Sequence, residues 1–262
     1  MINQTLFDDG TRRWVFIGRD PERQQTLIDT NTYLVIHNDA GILLDPGGLE
    51  TFPAVVSAVS KEMRVERLRA LFASHQDPDI ISSLSLWLGL CPELEVYCSW
   101  VWGLFIPHFG GGKAITPIPD EGGVLPVGDS RELRLIPAHY LHSSGNFSVY
   151  DPAAKILFSG DIGAALLPEH HQEIFVKDFA QHVRYMEGFH RRWMPSNEAK
   201  AKWIARVRQL DVRLMCPQHG AIFRDEDVTR FLSWFEALEV GSAVRVQAAG
   251  GITEGEAQRA AS

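Results

Sequence analysis

The chain begins with short runs where apolar and β-branched residues crowd together between turn-forming residues. RWVFIG and NTYLVIH read as strands, and GILLDPGG reads as a short apolar strand entering an Asp-Pro-Gly-Gly turn. The period then changes. FPAVVSAVSKEM spaces its apolar residues as a helix does and leads to LRALFAS, a run of the buried-strand kind. The pentapeptide His75-Gln76-Asp77-Pro78-Asp79 follows directly, and IISSLSLWLGL after it predicts one helix packed on a sheet. EVYCS predicts a further strand and runs into the aromatic segment SWVWGLFIPHFGGG.

Glycine and proline punctuate the stretch from Phe109 to Gly128, which reads as a loop or irregular hairpin. ELRLIPAHY, NFSVYD and KILFSGD are three more strands, the last two joined at Asp151-Pro152. From Phe175 to Leu210 the pattern is helical. It breaks at Pro195-Ser196-Asn197, where Ser or Asn caps a new helix with Glu198 in its first turn. VRLMCPQHG is a last strand ending at His219, and DEDVTRFLSWFEALEV is a last helix. No repeat or linker divides the chain. Residues 1–244 are expected to form one domain, and residues 245–262 a small polar tail that frays. The order of strands and helices predicts an α/β domain with helices outside a pair of sheets.

Composition narrows the partners more than the fold. The 262 residues carry 25 Lys and Arg against 33 Asp and Glu, a net charge of -8. With no basic face in the sequence, nucleic acid and anionic membranes are not expected as partners. The N-terminus, MINQTLFDDGTRRW, lacks the apolar core of a signal peptide, and no run of residues is apolar for long enough to span a bilayer. Cys91, Cys98 and Cys216 make an odd set without CxxC spacing, which argues against a thiolate zinc site or a disulfide framework. The expectation is a soluble, cytoplasmic protein.

Four segments end predicted strands with metal-type ligands: FASHQDPD with His75, Asp77 and Asp79, PAHYLHSSGN with His142, LFSGD with Asp161, and MCPQHG with His219. Loops at strand ends are where a rigid scaffold presents side chains to one point. Within HQDPD, positions 75, 77 and 79 can face one way. Three imidazoles and three carboxylates suit two divalent ions, above all if Asp161 bridges them. A set rich in oxygen and free of thiolate suits iron or manganese at least as well as zinc. Each segment alone has a plainer meaning: a strand-end histidine is commonly just solvated, and Asp77 or Asp79 could cap the helix that follows. It is the order of all four that raises the metal reading.

Taken in that order, LLDPGG, strand-HxDxD-helix, HSSGNFSVY, ILFSGD and CPQHG resemble the metallo-β-lactamase superfamily over residues 13 to 240. Within it the chain is most similar to the diiron oxygen-binding branch: the β-lactamase-like domain of flavodiiron proteins and its stand-alone, ODP-like relatives. The resemblance implies an αββα sandwich, two mixed β-sheets with helices on the outer faces. It implies one iron on His75, Asp77 and His142, a second on Asp79 and His219, and Asp161 bridging, with dioxygen or an oxo or hydroxo group at the open positions. Hydrolase members show HxHxDH; Asp77 stands here where they have histidine and where the diiron branch usually has Glu. Ile80 stands where many members have a further histidine.

His139 competes with His142 for the ligand role, but His142 matches the family's His-x-x-Gly context, which leaves His139 and Tyr140 as residues that could donate to a ligand or to bound oxygen. Asp45 in the LLDPGG turn reads as structural, and His182 and His190 as surface or core residues. Flavodiiron enzymes carry a flavodoxin domain. No loop of its phosphate-binding type is seen, so FMN is not expected within this polypeptide. The functional expectation is a non-haem diiron protein that binds dioxygen, for sensing or for reduction with an external rubredoxin- or flavin-type donor. Signalling partners and a homodimer are implied by the resemblance alone. The alternative is a dinuclear zinc hydrolase acting on an ester, lactone or thioester through a metal-bound hydroxide.

Overall fold

The computed structural model describes residues 1–18, 28–110, 115–168, 171 and 173–245. Two sheets face each other. The first has seven strands in sequence order: β1 (Ile2–Asp8), β2 (Arg12–Gly18), β3 (Thr32–His37), β4 (Ala40–Leu44), β5 (Leu68–Phe72), β6 (Glu95–Ser99) and β7 (Thr116–Ile118). Its first four strands form an antiparallel meander, and β4 to β7 pair in parallel. The second has six strands: β8 (Gly123–Val127), β9 (Ser130–Pro137), β10 (Phe147–Asp151), β11 (Ile156–Gly160), β12 (Leu214–Pro217) and β13 (Phe223–Arg224). Only its β11–β12 pair is parallel.

Six helices cover the outer faces: α1 (Phe52–Glu62), α2 (Pro78–Ile81), α3 (Leu84–Leu90), α4 (Phe179–Trp193), α5 (Asn197–Val207) and α6 (Glu226–Ala237). Strand alternation decides which layer each side chain enters. On β2, Trp14 and Phe16 join Tyr33, Phe72, Phe147 and Phe158 between the sheets, while Val15 and Ile17 pack with Val55, Val59 and Trp87 beneath α1 and α3. The second sheet turns Tyr150, Leu157 and Met215 toward Met186, Trp203, Phe231 and Phe235 of α4, α5 and α6. With both faces covered, β10 and β11 are buried at every residue, including the polar Ser148, Asp151 and Ser159. This is the αββα sandwich with mixed sheets.

Some local expectations need correction. IISSLSLWLGL is two helices, not one: the chain breaks at Ser82–Ser83, where the Ser83 hydroxyl donates to the carbonyl of Gly47 at 2.6 Å. A serine that hydrogen-bonds an outside backbone group competes with helix continuation. The Phe109–Gly128 stretch holds two strands, β7 and β8, the latter paired with β9. The helical stretch begins at Phe179, because Phe175 forms an isolated bridge to Ile222 instead. β1 was not singled out by its polar pattern, and it pairs along the outer edge of β2. Ser196 does cap α5, accepting from the Ala199 amide at 3.1 Å. Of the expected tail, residues 246–262 lie outside the described residues. Among the described residues no helix is long and apolar enough to cross a membrane.

Candidate metal centre

The six side chains singled out above leave the C-terminal ends of β5, β9, β11 and β12. His75 follows β5 and is buried. Asp77 occupies the N-cap position of α2, yet its side chain makes no capping hydrogen bond. It turns toward histidine instead: its Oδ2 lies 3.5 Å from His75 Nε2 and 3.4 Å from His142 Nε2. Asp161 follows β11, and the parallel register of Gly160 with Pro217 sets it beside the end of β12. There the Gln218 amide donates to the Gly160 carbonyl at 2.8 Å, which carries His219 to the same edge. One ligand atom from each of His75, Asp77, His142 and Asp161 lies within 4.8 Å of the others.

Asp161 divides its two oxygens. Oδ2 lies 2.8 Å from His142 Nε2 and 3.6 Å from His75 Nε2, whereas Oδ1 lies 3.6 Å from His219 Nε2. On that second side Asp79 Oδ2 is 3.4 Å from His219 Nε2. The structure thus brings all six residues together in two clusters that share the Asp161 carboxylate. His75 Nε2 and Asp161 Oδ1 are buried without a hydrogen-bond partner. Orphaned buried polar atoms are costly unless something further binds them, and nitrogen and oxygen donors converging at these spacings fit divalent cations.

Mutual charge dominates the electrostatics. Burial alone would raise the Asp161 carboxyl, but the imidazoles of His75, His142 and His219 outweigh it and hold the group at about 2. Burial likewise works to lower His142 and His219, yet Asp161 and Asp77 push His142 up to about 10, and Asp79 and Asp161 push His219 up to about 9. Without a cation, protons hold these carboxylates together.

Contacts behind the ligands fix their orientation. The Asp45 carboxylate, buried after β4, accepts from the Ser74 amide and hydroxyl, both at 2.7 Å, and the Ser74 oxygen lies 2.9 Å from His75 Nδ1. Burial raises the Asp45 carboxyl to about 7. His219 Nδ1 donates to the Asp29 carbonyl at 2.7 Å, leaving Nε2 free to face the carboxylates. Gln218, also buried, donates from Nε2 to Asp79 Oδ2 at 3.1 Å. The His142 ring meets that of His75 edge-on at a centroid distance of 4.8 Å, and Phe189 and Trp193 of α4 at 6.0 and 5.5 Å.

His139 stands elsewhere. Its ring packs edge-on against Phe147, and its Nε2 bonds the Asp120 carbonyl at 2.8 Å. Tyr140 is exposed, with a positive φ of 64°. His182 and His190 are core residues of α4, each pushed down to about 4 chiefly by burial. Sequence reasoning missed Ser74, Gln218, Phe189 and Trp193. Ser74 and Gln218 sit next to His75 and His219, where adjacency was the only available signal.

A family model described as "ODP family beta lactamase" matches residues 28–220. The chain belongs to the ODP family. Among solved structures, this ODP-family chain is similar to one described as the peroxy diiron species of chemotaxis sensor ODP. That match has 38% identity, a TM-score of 0.82, and covers 92% of this chain and 97% of that one. The apo state of chemotaxis sensor ODP from T. denticola matches with 38% identity, a TM-score of 0.83, and coverage of 92% and 96%. A mutant flavo di-iron protein from Thermotoga maritima shares the fold, with 21% identity, a TM-score of 0.75, and coverage of 90% of this chain and 60% of that chain. An uncharacterized protein of Methanocaldococcus jannaschii is 29% identical over 122 residues, 45% of this chain and 30% of that protein's length.

Proposed function

We propose that this ODP-family protein holds two iron ions and binds dioxygen, as an oxygen sensor. One ion would be held by His75, Asp77 and His142, the other by Asp79 and His219, with Asp161 shared. The observation that carries this reading is the split of the Asp161 carboxylate, one oxygen toward each ligand group. Two ferrous ions at such a site would supply the one electron each that dioxygen needs to bind or be reduced. The chain's own residues set the rest. Asp45 and Ser74 hold His75 in one orientation, the Asp29 carbonyl fixes the His219 tautomer, and Phe189 and Trp193 screen His142 from water.

Sensing is favoured over turnover by similarity along nearly the whole length of chemotaxis sensor ODP. Its partners are then dioxygen and a signalling protein, with an external rubredoxin- or flavin-type donor to reset the irons. The three cysteines are free and buried, in keeping with a reducing cytoplasm. The zinc-hydrolase alternative is disfavoured by Asp77: a carboxylate in place of a neutral histidine lowers the Lewis acidity on which metal-bound hydroxide depends. Metal analysis with an anaerobic-to-aerobic optical spectrum is the test. About two irons per chain and a new visible band on exposure to oxygen support the reading. Two zincs, ester hydrolysis and no optical response to oxygen overturn it.

A further inference from the structure

The two ligand groups are unequal. One gathers His75, Asp77, His142 and Asp161; the other has Asp79, Asp161 and His219. The residue after Asp79 adds nothing to it, because Ile80 is fully buried in the apolar layer beneath α1 and α3. Gln218 lies on the poorer side, 1% exposed, its Nε2 3.1 Å from Asp79 Oδ2. Its Oε1 is buried and has no hydrogen-bond partner. A buried carboxamide that satisfies its nitrogen and strands its oxygen forgoes the hydrogen bond that water would give it.

A half-turn of the amide about its last side-chain bond exchanges oxygen and nitrogen with little change of shape. The oxygen then stands where Nε2 is now, 3.1 Å from Asp79 Oδ2. Two oxygens bound at right angles to one ion, each at about 2.1 Å, lie about 3 Å apart. The present hydrogen-bond distance is thus also an edge distance of a coordination sphere. We infer that Gln218 is a ligand of the second metal position, binding through Oε1 after an amide flip and supplying the donor that Ile80 does not. Without metal the same amide donates to Asp79 and keeps that carboxylate from swinging away. The backbone is suited to this, since the Gln218 carbonyl accepts from the Asn31 amide at 2.6 Å and its own amide is tied to Gly160, so only the side chain need move.

The inference rests on the two-metal reading, and equilibrium dialysis against ferrous ion under nitrogen separates the two. Wild-type protein is expected to take up two ions, and Gln218→Leu to keep the first at unchanged affinity while binding the second at least about tenfold more weakly. Gln218→Glu, which keeps an oxygen but cannot donate to Asp79, is expected to hold the second ion at least as tightly as wild type. Unchanged second-ion affinity in Gln218→Leu overturns the inference alone. So does weakened second-ion affinity in Gln218→Glu, which would mean that the amide acts only as a hydrogen-bond donor; this variant decides the matter if Gln218→Leu does not fold. Wild-type protein that takes up no second ion overturns the inference and the two-metal reading together.

Discussion

Asp161 points Oδ2 at His142 Nε2 from 2.8 Å and keeps Oδ1 buried without a hydrogen-bond partner. A carboxylate held this way can serve two ions but cannot be spared by either. Asp161→Ala is therefore expected to lose both ions, and Asn at the same position, with one oxygen remaining, to retain one at reduced affinity. Elemental analysis of the purified variants checks this. Retention of both ions by the Ala variant would show that the carboxylate does not bridge.

Ser74 links Asp45 to His75, its hydroxyl engaged by both. Ser74→Ala removes the hydroxyl that spans Asp45 Oδ2 and His75 Nδ1 at 2.7 and 2.9 Å. Groups that orient a ligand typically matter by about 10–100-fold in metal affinity. That loss is expected at the His75 side, with unfolding free energy falling by only about 1–3 kcal/mol. Dialysis against ferrous ion and urea unfolding of the metal-free protein separate the two effects.

Much of this centre was legible because metal ligands are a chemical signal. His75, Asp161 and His219 follow strands closely, with Asp77 and Asp79 in the turn and helix just past β5, and strand ends are readable from apolar runs. His142 was harder. It and His139 share one loop, and only context favoured His142; the structure gives the reason in packing, since His139 buries its ring on Phe147 and spends Nε2 on Asp120. Gln218 and Ser74 were not legible, because an amide or hydroxyl acquires its role from neighbours distant in sequence. Asp79 is 139 residues from Gln218. The same limit applies to the fold. The break at Ser82–Ser83 depends on the Gly47 carbonyl, 36 residues before Ser83, and helical periodicity continues through it.

Metal uptake should release protons. In the metal-free chain His142 and His219 are raised from 6.5 to about 10 and about 9, so near neutrality both carry a proton that a cation must displace. Metal affinity is thus expected to climb with pH up to about 10, and calorimetry in buffers of differing ionisation enthalpy should report proton release per ion. The metal-free fold behaves oppositely. A histidine whose folded pKa is raised stabilises below its unfolded value of 6.5, and that contribution disappears as pH rises through about 9 to 10. Chelator-treated protein should lose stability over that alkaline window, while loaded protein should not.

His190 has the reverse sign. It is fully buried, accepts the Gly163 amide at Nε2 from 3.0 Å and gives its Nδ1 proton to the Met186 carbonyl at 2.7 Å. Burial holds it neutral, with its pKa pushed from 6.5 down to about 4. The unfolded chain binds this proton more readily, so the contribution present above 6.5 is lost as pH falls through about 4. One proton sets a limiting slope of about 1.4 kcal/mol per pH unit. His190→Gln, which can still accept from Gly163, is expected to flatten stability between those values. Urea midpoints of both proteins from pH about 4 to 7 measure it.

Far from the His/Asp cluster, one buried ion pair ties the two sheets together. Arg12 of β2 places Nη1 2.9 Å from Asp151 Oδ1, and Trp14 Nε1 donates to Oδ2 of the same carboxylate at 2.7 Å. Arg12 is 3% and Asp151 0% exposed, so neither charge has water to fall back on. Removing one partner of such a pair costs about 3–5 kcal/mol, because the other charge is left buried and uncompensated. Asp151→Ala strands both the guanidinium and an indole N–H; Glu132, 2.5 Å from Arg12 Nη2 but more than half exposed, offsets only part of the charge. The variant is expected to melt several degrees lower, at about 2–4 °C per kcal/mol for a chain of this size. Its metal stoichiometry should be that of wild type, since Asp151 lies at the opposite end of β10 from the ligand loops. A variant that melts like wild type would mean that the seam is held by apolar packing alone.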